Sequence, residues 1–121
     1  LTVEAVAATL PADTVATLGL MVNELVTNAA KYAYPAGTEG PIRMRLDRTP
    51  DGRLRLSVED DGPGLPDGFT VAGSKGLGMR MLTSLAEQIH ADLRIPQPPR
   101  GTRFEVVLPA SAGSAHISNR I

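Results

Sequence analysis

Two stretches of strict period-two alternation lie on either side of a four-residue turn. Residues 42–48 (IRMRLDR) place Ile42, Met44 and Leu46 on one face and Arg43, Arg45 and Asp47 on the other. Residues 53–59 (RLRLSVE) repeat the pattern through Leu54, Leu56 and Val58, and Thr49-Pro50-Asp51-Gly52 between them is turn chemistry. This arrangement predicts an antiparallel hairpin with one apolar face, and such a face must be covered by a second layer. Two segments have helical spacing and can supply it. One runs to about Ala33 from a cap at Asp13 or Thr14 and is stopped by Pro35 and Gly37. The other runs from Leu77 to about Ala91, with Met81, Leu82, Leu85, Ala86 and Ile89 recurring on one side. Residues 3–10 (ended by Pro11), 93–95 and 102–108 read as further strands. The expected architecture is a two-layer α/β (α+β) sandwich: a mixed, largely antiparallel β-sheet with helices on one face.

Composition narrows the function classes. The chain has 121 residues, enough for one domain. A chain of this size buries roughly 65% of its unfolded surface, so a core forms without staples. Twelve basic and thirteen acidic residues give a net charge of −1, which argues against a partner held by bulk charge, such as nucleic acid or an anionic membrane. The absence of cysteine excludes disulfides, thiolate zinc sites and a cysteine nucleophile. Only Tyr32, Tyr34, Phe69 and Phe104 are aromatic, too few for a base-stacking platform. No apolar run reaches the roughly 18 residues of a membrane span. The sequence opens at Leu1 without a basic n-region, so a signal peptide is not expected within it. A start at Leu rather than Met leads us to expect a piece of something longer. We expect one domain over 1–109 and a small, polar, poorly ordered tail over 110–121.

The first helix carries a polar stripe. At about 100° per residue, with Glu24 at 0°, Asn28 falls near 40° and Lys31 near 340°. Val15, Leu18, Val22, Leu25, Val26, Ala29 and Ala33 fall between roughly 100° and 200°, so the stripe is expected opposite the buried face. A carboxylate, an amide oxygen and an ammonium in line suit a phosphate–magnesium ligand. By itself the stripe fits better the solvated side that most amphipathic helices carry.

The second hairpin strand runs directly into Asp60-Asp61-Gly62-Pro63-Gly64. A carboxylate at a strand end can accept a hydrogen bond from an exocyclic amine, and glycines let a ligand approach the backbone. The same residues are also those of an ordinary turn. Eleven residues with few bulky groups follow, Leu65–Lys75, suited to a mobile cover or to a plain surface loop. Gly76-Leu77-Gly78 then opens the second helix, where free N–H groups and the positive end of the helix dipole favour phosphate. The spacing is neither that of a Walker A loop nor that of a dinucleotide fingerprint.

The order of these pieces is specific. LGLMVNELVTNAAKYAYP at 18–35 resembles the N box, VEDDGPGLP at 58–66 the G1 box with its Asp-x-Gly-x-Gly pattern, and GLGMRML at 76–82 the G2 box of the ATP-binding catalytic domain (HATPase) of bacterial sensor histidine kinases. GTRFEVVLP at 101–109 resembles that domain's closing strand. These kinases share the Bergerat ATP-binding fold with the gyrase, Hsp90 and MutL ATPases of the GHKL superfamily. Glu24 four residues before Asn28, and a lid of about 11 residues, resemble the short-lid kinases related to the HWE group. That group carries a histidine before the glutamate and a Trp-x-Glu motif. Here Asn23 precedes Glu24 and tryptophan is absent, which places the chain beside the group. An F box is missing, with Phe69 the only candidate.

The resemblance implies ATP and Mg²⁺ as cofactors and the following roles. Asn28 coordinates Mg²⁺ and, with Glu24, belongs to the catalytic set. Glu24 stands where gyrase-like members have the base that activates water; in a kinase it orders the magnesium shell. Lys31 contacts phosphate. Asp60 accepts the adenine N6 amine, and Gly62 and Gly64 shape the adenine pocket. Gly76, Leu77 and Gly78 form the phosphate-binding turn. Thr102 supports the adenine site, and Tyr32 or Tyr34 lines the nucleotide pocket or belongs to the core. The resemblance also implies, as partners, a histidine-bearing helical dimerisation domain and a response regulator, in a cytoplasmic setting with a monomeric isolated domain and no direct membrane contact. His90 and His116 are the only histidines, and neither sits in an acceptor motif. The chain is therefore expected to bind ATP and to transfer little or no phosphate alone. Two alternatives stand beside this reading: an anti-sigma-factor serine kinase of the same fold, and a non-catalytic nucleotide-binding interaction domain.

Overall fold

The computed structural model describes residues 1–34, 40–63, 77–96 and 101–110. Its elements in chain order are β1 (Thr2–Ala5), α1 (Ala12–Tyr32), β2 (Ile42–Arg48), β3 (Leu54–Asp60), α2 (Leu77–Gln88), β4 (Asp92–Arg94) and β5 (Thr102–Val107). The five strands form one sheet in the order β1-β2-β3-β5-β4. β1 runs parallel to β2, and the other three pairings are antiparallel. The expected mixed, largely antiparallel sheet is therefore present.

The hairpin forms where the alternation predicts it. Its turn closes with the Gly52 N–H on the Thr49 carbonyl at 2.8 Å, and the register pairs Ile42 with Asp60 and Arg48 with Leu54. Leu56, Val58 and Val106 cover the inner face of the sheet and pack with Met21 and Leu25 of α1 and Met79, Leu82, Leu85 and Ala86 of α2.

Several expectations need correction. The first strand is four residues, not eight, and all four are exposed, because only Thr2–Ala5 finds partners along Arg43–Leu46. Neither Asp13 nor Thr14 holds the N-cap position of α1; Pro11 does, with no side-chain cap bond, and within the first turn Asp13 Oδ1 accepts the Thr14 N–H at 2.9 Å. The polar stripe of α1 flanks the core and does not oppose it. Met21, about 60° around the helix from Glu24, is fully buried, whereas Val15 is 54% exposed. On α2, Met81, expected on the apolar side, is exposed, and Met79 is buried with Leu82, Leu85 and Ala86. That helix ends at Gln88 rather than near Ala91. His90 adopts φ 55°, the Ala91 N–H reaches the Ala86 carbonyl at 2.9 Å and the His90 N–H reaches the Glu87 carbonyl at 3.2 Å. These paired bonds close the last turn around a left-handed residue, a place more often taken by glycine. The short strand expected at 93–95 is Asp92–Arg94, one residue earlier.

Candidate functional site

Asp60 ends β3 beside the start of β5 and is 5% exposed. Its Oδ1 accepts the Gly62 N–H at 2.9 Å and the Thr102 N–H at 3.3 Å. Thr102 is its cross-strand partner, so the sheet register itself brings the two predicted site residues together. Both bonds use one carboxylate oxygen, and among the described residues none donates to Oδ2. Gly62 follows at a point of close approach. A Cβ there would stand 2.5 Å from the Ala33 carbonyl oxygen and 2.8 Å from the Ala33 Cα. The turn after β3 therefore rests on the chain leaving α1, and any side chain at 62 would lift it off.

The second cluster lies one to two turns earlier on α1. Glu24 and Asn28 are half-buried, and both face the first turn of α2. A Cβ at Gly78 would collide with Glu24 Oε2, lie 3.1 Å from Glu24 Cδ and 3.7 Å from Asn28 Nδ2. Glycine at this position is what lets the start of α2 come against the polar flank. The first N–H groups of a helix lack partners within it, so unpaired donors, a carboxylate and an amide gather in one place. Lys31, one turn beyond Asn28, is exposed. Leu77 is the first residue of α2. Gly64 and Gly76 lie outside the described residues, as do the expected lid, Phe69, the side chain of Tyr32 and residues 111–121 of the expected tail.

Asn28 and Glu24 offer hard oxygen donors. No group of three or more His, Cys, Asp or Glu able to hold a metal exists among the described residues. That donor set fits Mg²⁺, which binds through one or two protein oxygens together with substrate phosphates and water, better than it fits a metal held by protein alone.

Tyr34 and Arg43 have roles that sequence reasoning missed. Tyr34 was expected in the nucleotide pocket or the core. Its hydroxyl instead donates to the Pro41 carbonyl at 2.5 Å and accepts the Asp61 N–H at 3.0 Å. Arg43 grips the Asp61 carboxylate with Nη2 at 2.7 Å and Nη1 at 3.2 Å, and gives Nε to Glu59 Oε1 at 3.0 Å. The hydrogen bond to Asp61, then that to Glu59, raises the Arg43 pKa above its already high ordinary value, so the guanidinium stays charged. Arg43 and Glu59 share the polar face of paired strands, and that alternation was the available signal.

Comparison with known proteins places this geometry. Residues 13–112 match the family described as histidine kinase-, DNA gyrase B- and HSP90-like ATPase. Blue-light-activated histidine kinase 2 of Erythrobacter litoralis is 31% identical over 101 residues, 84% of this chain and 29% of that protein. Sensor histidine kinase PdtaS of Mycobacterium tuberculosis is 38% identical over 77 residues, 63% of this chain and 15% of that protein. The chain thus spans less than a third of the length of either relative. Among solved structures, the histidine kinase domain of the Erythrobacter litoralis EL346 blue-light activated histidine kinase aligns with a TM-score of 0.79 at 29% identity, covering 94% of this chain and 56% of that one. The mycobacterial sensor histidine kinase MprB aligns with a TM-score of 0.68 at 26% identity, covering 89% of this chain and 79% of that one.

Proposed function

The chain belongs to the histidine kinase-, DNA gyrase B- and HSP90-like ATPase family, and from that premise we propose that it is the ATP-binding catalytic domain of a two-component sensor histidine kinase. The single observation that carries the reading is the close approach of Gly78 to Glu24 and Asn28, which sets the open end of a helix against a carboxylate and an amide. The relatives described above are sensor histidine kinases, which favours this reading over the serine-kinase alternative.

In this reading Asp60 Oδ1 is held by backbone, and Oδ2 accepts the N6 amine of adenine. Gly62 keeps the adenine pocket open, and Gly64 is assigned to the same pocket. Thr102 fixes the carboxylate from the β5 side. Leu77 and Gly78, which open α2, donate N–H groups to the phosphates together with Gly76, and Lys31 adds a positive charge at the outer end of the flank. Asn28 gives its amide oxygen to Mg²⁺, and Glu24 orders the water around it. The metal, when bound with the triphosphate, neutralises charge on the phosphate oxygens. The protein's own contribution is positioning and fixed dipoles. The γ-phosphoryl group passes to a histidine of a separate helical domain: a phosphorus–oxygen bond breaks, a phosphorus–nitrogen bond forms and ADP leaves. A response regulator then takes the phosphoryl group, and the setting is cytoplasmic. No helix among the described residues is long and apolar enough to cross a membrane.

Calorimetry tests the adenine contact. Mg-ATP should bind at tens to hundreds of micromolar, about −5 to −7 kcal/mol. Asp60→Ala should weaken binding by about 10- to 150-fold, the worth of a hydrogen bond to a charged group. Because Asp60→Ala also strips the acceptor from Gly62 and Thr102, Asp60→Asn is the companion variant. It can keep Oδ1 for both N–H groups while turning the other position from acceptor to donor. A loss below threefold in both variants rejects the assigned contact.

A further inference from the structure

We infer that Tyr34, Arg43 and Asp61 form a positioning clamp that aims the Asp60 carboxylate, and so sets how strongly the site prefers a purine bearing a 6-amino group. The inference rests on the adenine-site reading of Asp60 and adds three residues, none of which touches the nucleotide in it.

Side chains alternate across a strand. Asp60 points to the inner face, where the ligand would bind, while its neighbours Glu59 and Asp61 point to the outer face. Arg43 holds both neighbours at once, Glu59 through Nε at 3.0 Å and Asp61 through Nη2 at 2.7 Å. Its guanidinium therefore spans the back of Asp60 like a staple. Any rotation of Asp60 about the strand axis must swing Glu59 and Asp61 with it, against a planar fork bonded to each. Glu59 is held a second time by Arg103, at 3.5 Å. Tyr34 adds the third restraint, since its hydroxyl joins the Asp61 N–H to the Pro41 carbonyl just ahead of β2. The turn that carries Asp60 is thus tied to the chain leaving α1, to β2 and to β5.

The energetics favour a geometric role over a stabilising one. The Arg43 and Asp61 side chains are each 34% exposed, and pairs that open to water contribute little to folding. Aim is another matter. A site that must satisfy an N–H donor discriminates sharply only while its acceptor is held in place. A lysine at 43 would keep the charge and lose the fork that reaches both carboxylates.

The experiment compares ATP with purine riboside triphosphate, which has the same ring and phosphates without the 6-amino group. Calorimetric Kd values are taken for the wild-type chain and for Tyr34→Phe, Arg43→Gln and Arg43→Lys. The clamp predicts that the preference for ATP falls roughly three- to tenfold in each variant, the range for one lost neutral hydrogen bond. The Kd for purine riboside triphosphate should stay within about twofold on the same scale. Equal weakening of both nucleotides means a merely structural role and overturns the clamp, as does an unchanged preference in natively folded variants. Should Arg43→Gln fail to fold, Tyr34→Phe, which removes one oxygen, decides the matter alone. Wild-type chain that binds neither nucleotide removes the adenine site, and the clamp with it. Wild-type chain that prefers ATP while every variant prefers it equally leaves the site standing and sinks only the clamp.

Discussion

Along β3, successive residues look out on opposite worlds. Leu54, Leu56 and Val58 turn inward to the helices and are buried in apolar contact. Arg55, Ser57 and Glu59 turn outward into a field of ion pairs: Arg55 with Asp47 at 2.9 Å, Glu59 with Arg43 at 3.0 Å, and alongside them Arg103 with Glu105 at 2.9 Å. No helix of the described residues covers this outer face, yet Ser57 and Glu105 are buried on it. Long side chains lie flat across the strands and cover the short ones, as Arg45 and Glu105 flank Ser57 in the register. Apolar burial on the inner face is non-directional and large, roughly 1.5–3 kcal/mol for each well-buried side chain. The outer pairs are directional and individually small. The sheet therefore divides its labour: one face holds the domain together, the other fixes angles.

The sharpest way to break that division is to cut the inner face. Leu82 is fully inaccessible among Met21, Leu25 and the sheet. Leu82→Ala should cost about 2–5 kcal/mol, the lost transfer energy plus the cavity left behind. Denaturant unfolding reads it directly, provided the transition is two-state. A cost below 1 kcal/mol would mean that the helices are held chiefly by something else, and the contrast between the faces would fail.

A smaller effect is expected where the inner layer meets the proposed site. Gly78→Ala adds one methyl group in the first turn of α2, directly against the Glu24 carboxylate. That carboxylate is the far end of a flexible side chain, so it can move aside. Alanine also favours helix over glycine by about 0.8–1.0 kcal/mol. Stability should therefore change by less than about 1 kcal/mol on that scale. Mg-ATP affinity should fall roughly tenfold, or about 1.4 kcal/mol, as Glu24 is pushed from its place beside Asn28. In a Glu24→Ala background the penalty should vanish, because contacting groups are coupled and distant ones are not. An equal penalty in both backgrounds would show that the methyl group acts on something other than Glu24.

Much of this was legible in the chain, and the misses share a cause. The hairpin was readable to within a residue because period-two alternation and a Thr-Pro-Asp-Gly turn both act locally. The strand running straight into Asp60 was readable for the same reason, whereas the bond from the Gly62 N–H to its carboxylate came only with the structure. What failed needed knowledge of the neighbouring element. A helical wheel fixes which residues share a face, but not which face meets the rest of the molecule. α2 stands on the Glu24 side of α1, as Gly78 shows, and this draws the buried arc toward Met21 and away from Val15. The run Val6–Leu10 has strand-like composition and no partner to pair with, so β1 stops at Ala5, apart from one further bond from the Val6 N–H to the Leu46 carbonyl. The grip of Arg43 on Asp61 needed the register. Once Arg43 is set opposite Glu59, Asp61 becomes its diagonal neighbour on the same face.

The finest test compares two ion pairs of like geometry at opposite ends of the outer face. Arg43 and Asp61 lie beside the proposed site. Arg55 and Asp47 lie toward the hairpin turn, joined at 2.9 and 3.0 Å and each about one-quarter exposed. The hydrogen bonds from Arg55 hold the Asp47 pKa below its ordinary value. A carboxylate whose folded pKa is depressed stabilises the fold above its unfolded value, near pH 3.9. That contribution fades as pH falls through the folded pKa. Asp47→Asn should therefore cost about 0.5–1 kcal/mol at pH 7. The gap to wild type should close below about pH 4 as the wild-type carboxylate takes up its proton. Unfolding curves across that range check it, and a gap that stays constant to pH 2 would assign the loss to packing. The same variant should leave the preference for ATP over purine riboside triphosphate where it was, because nothing in the Asp47 pair reaches Asp60. If Asp47→Asn shifted that preference as far as Arg43→Gln, the outer face would be acting as one body, and aim would be a property of the whole sheet, not of the three residues at its end.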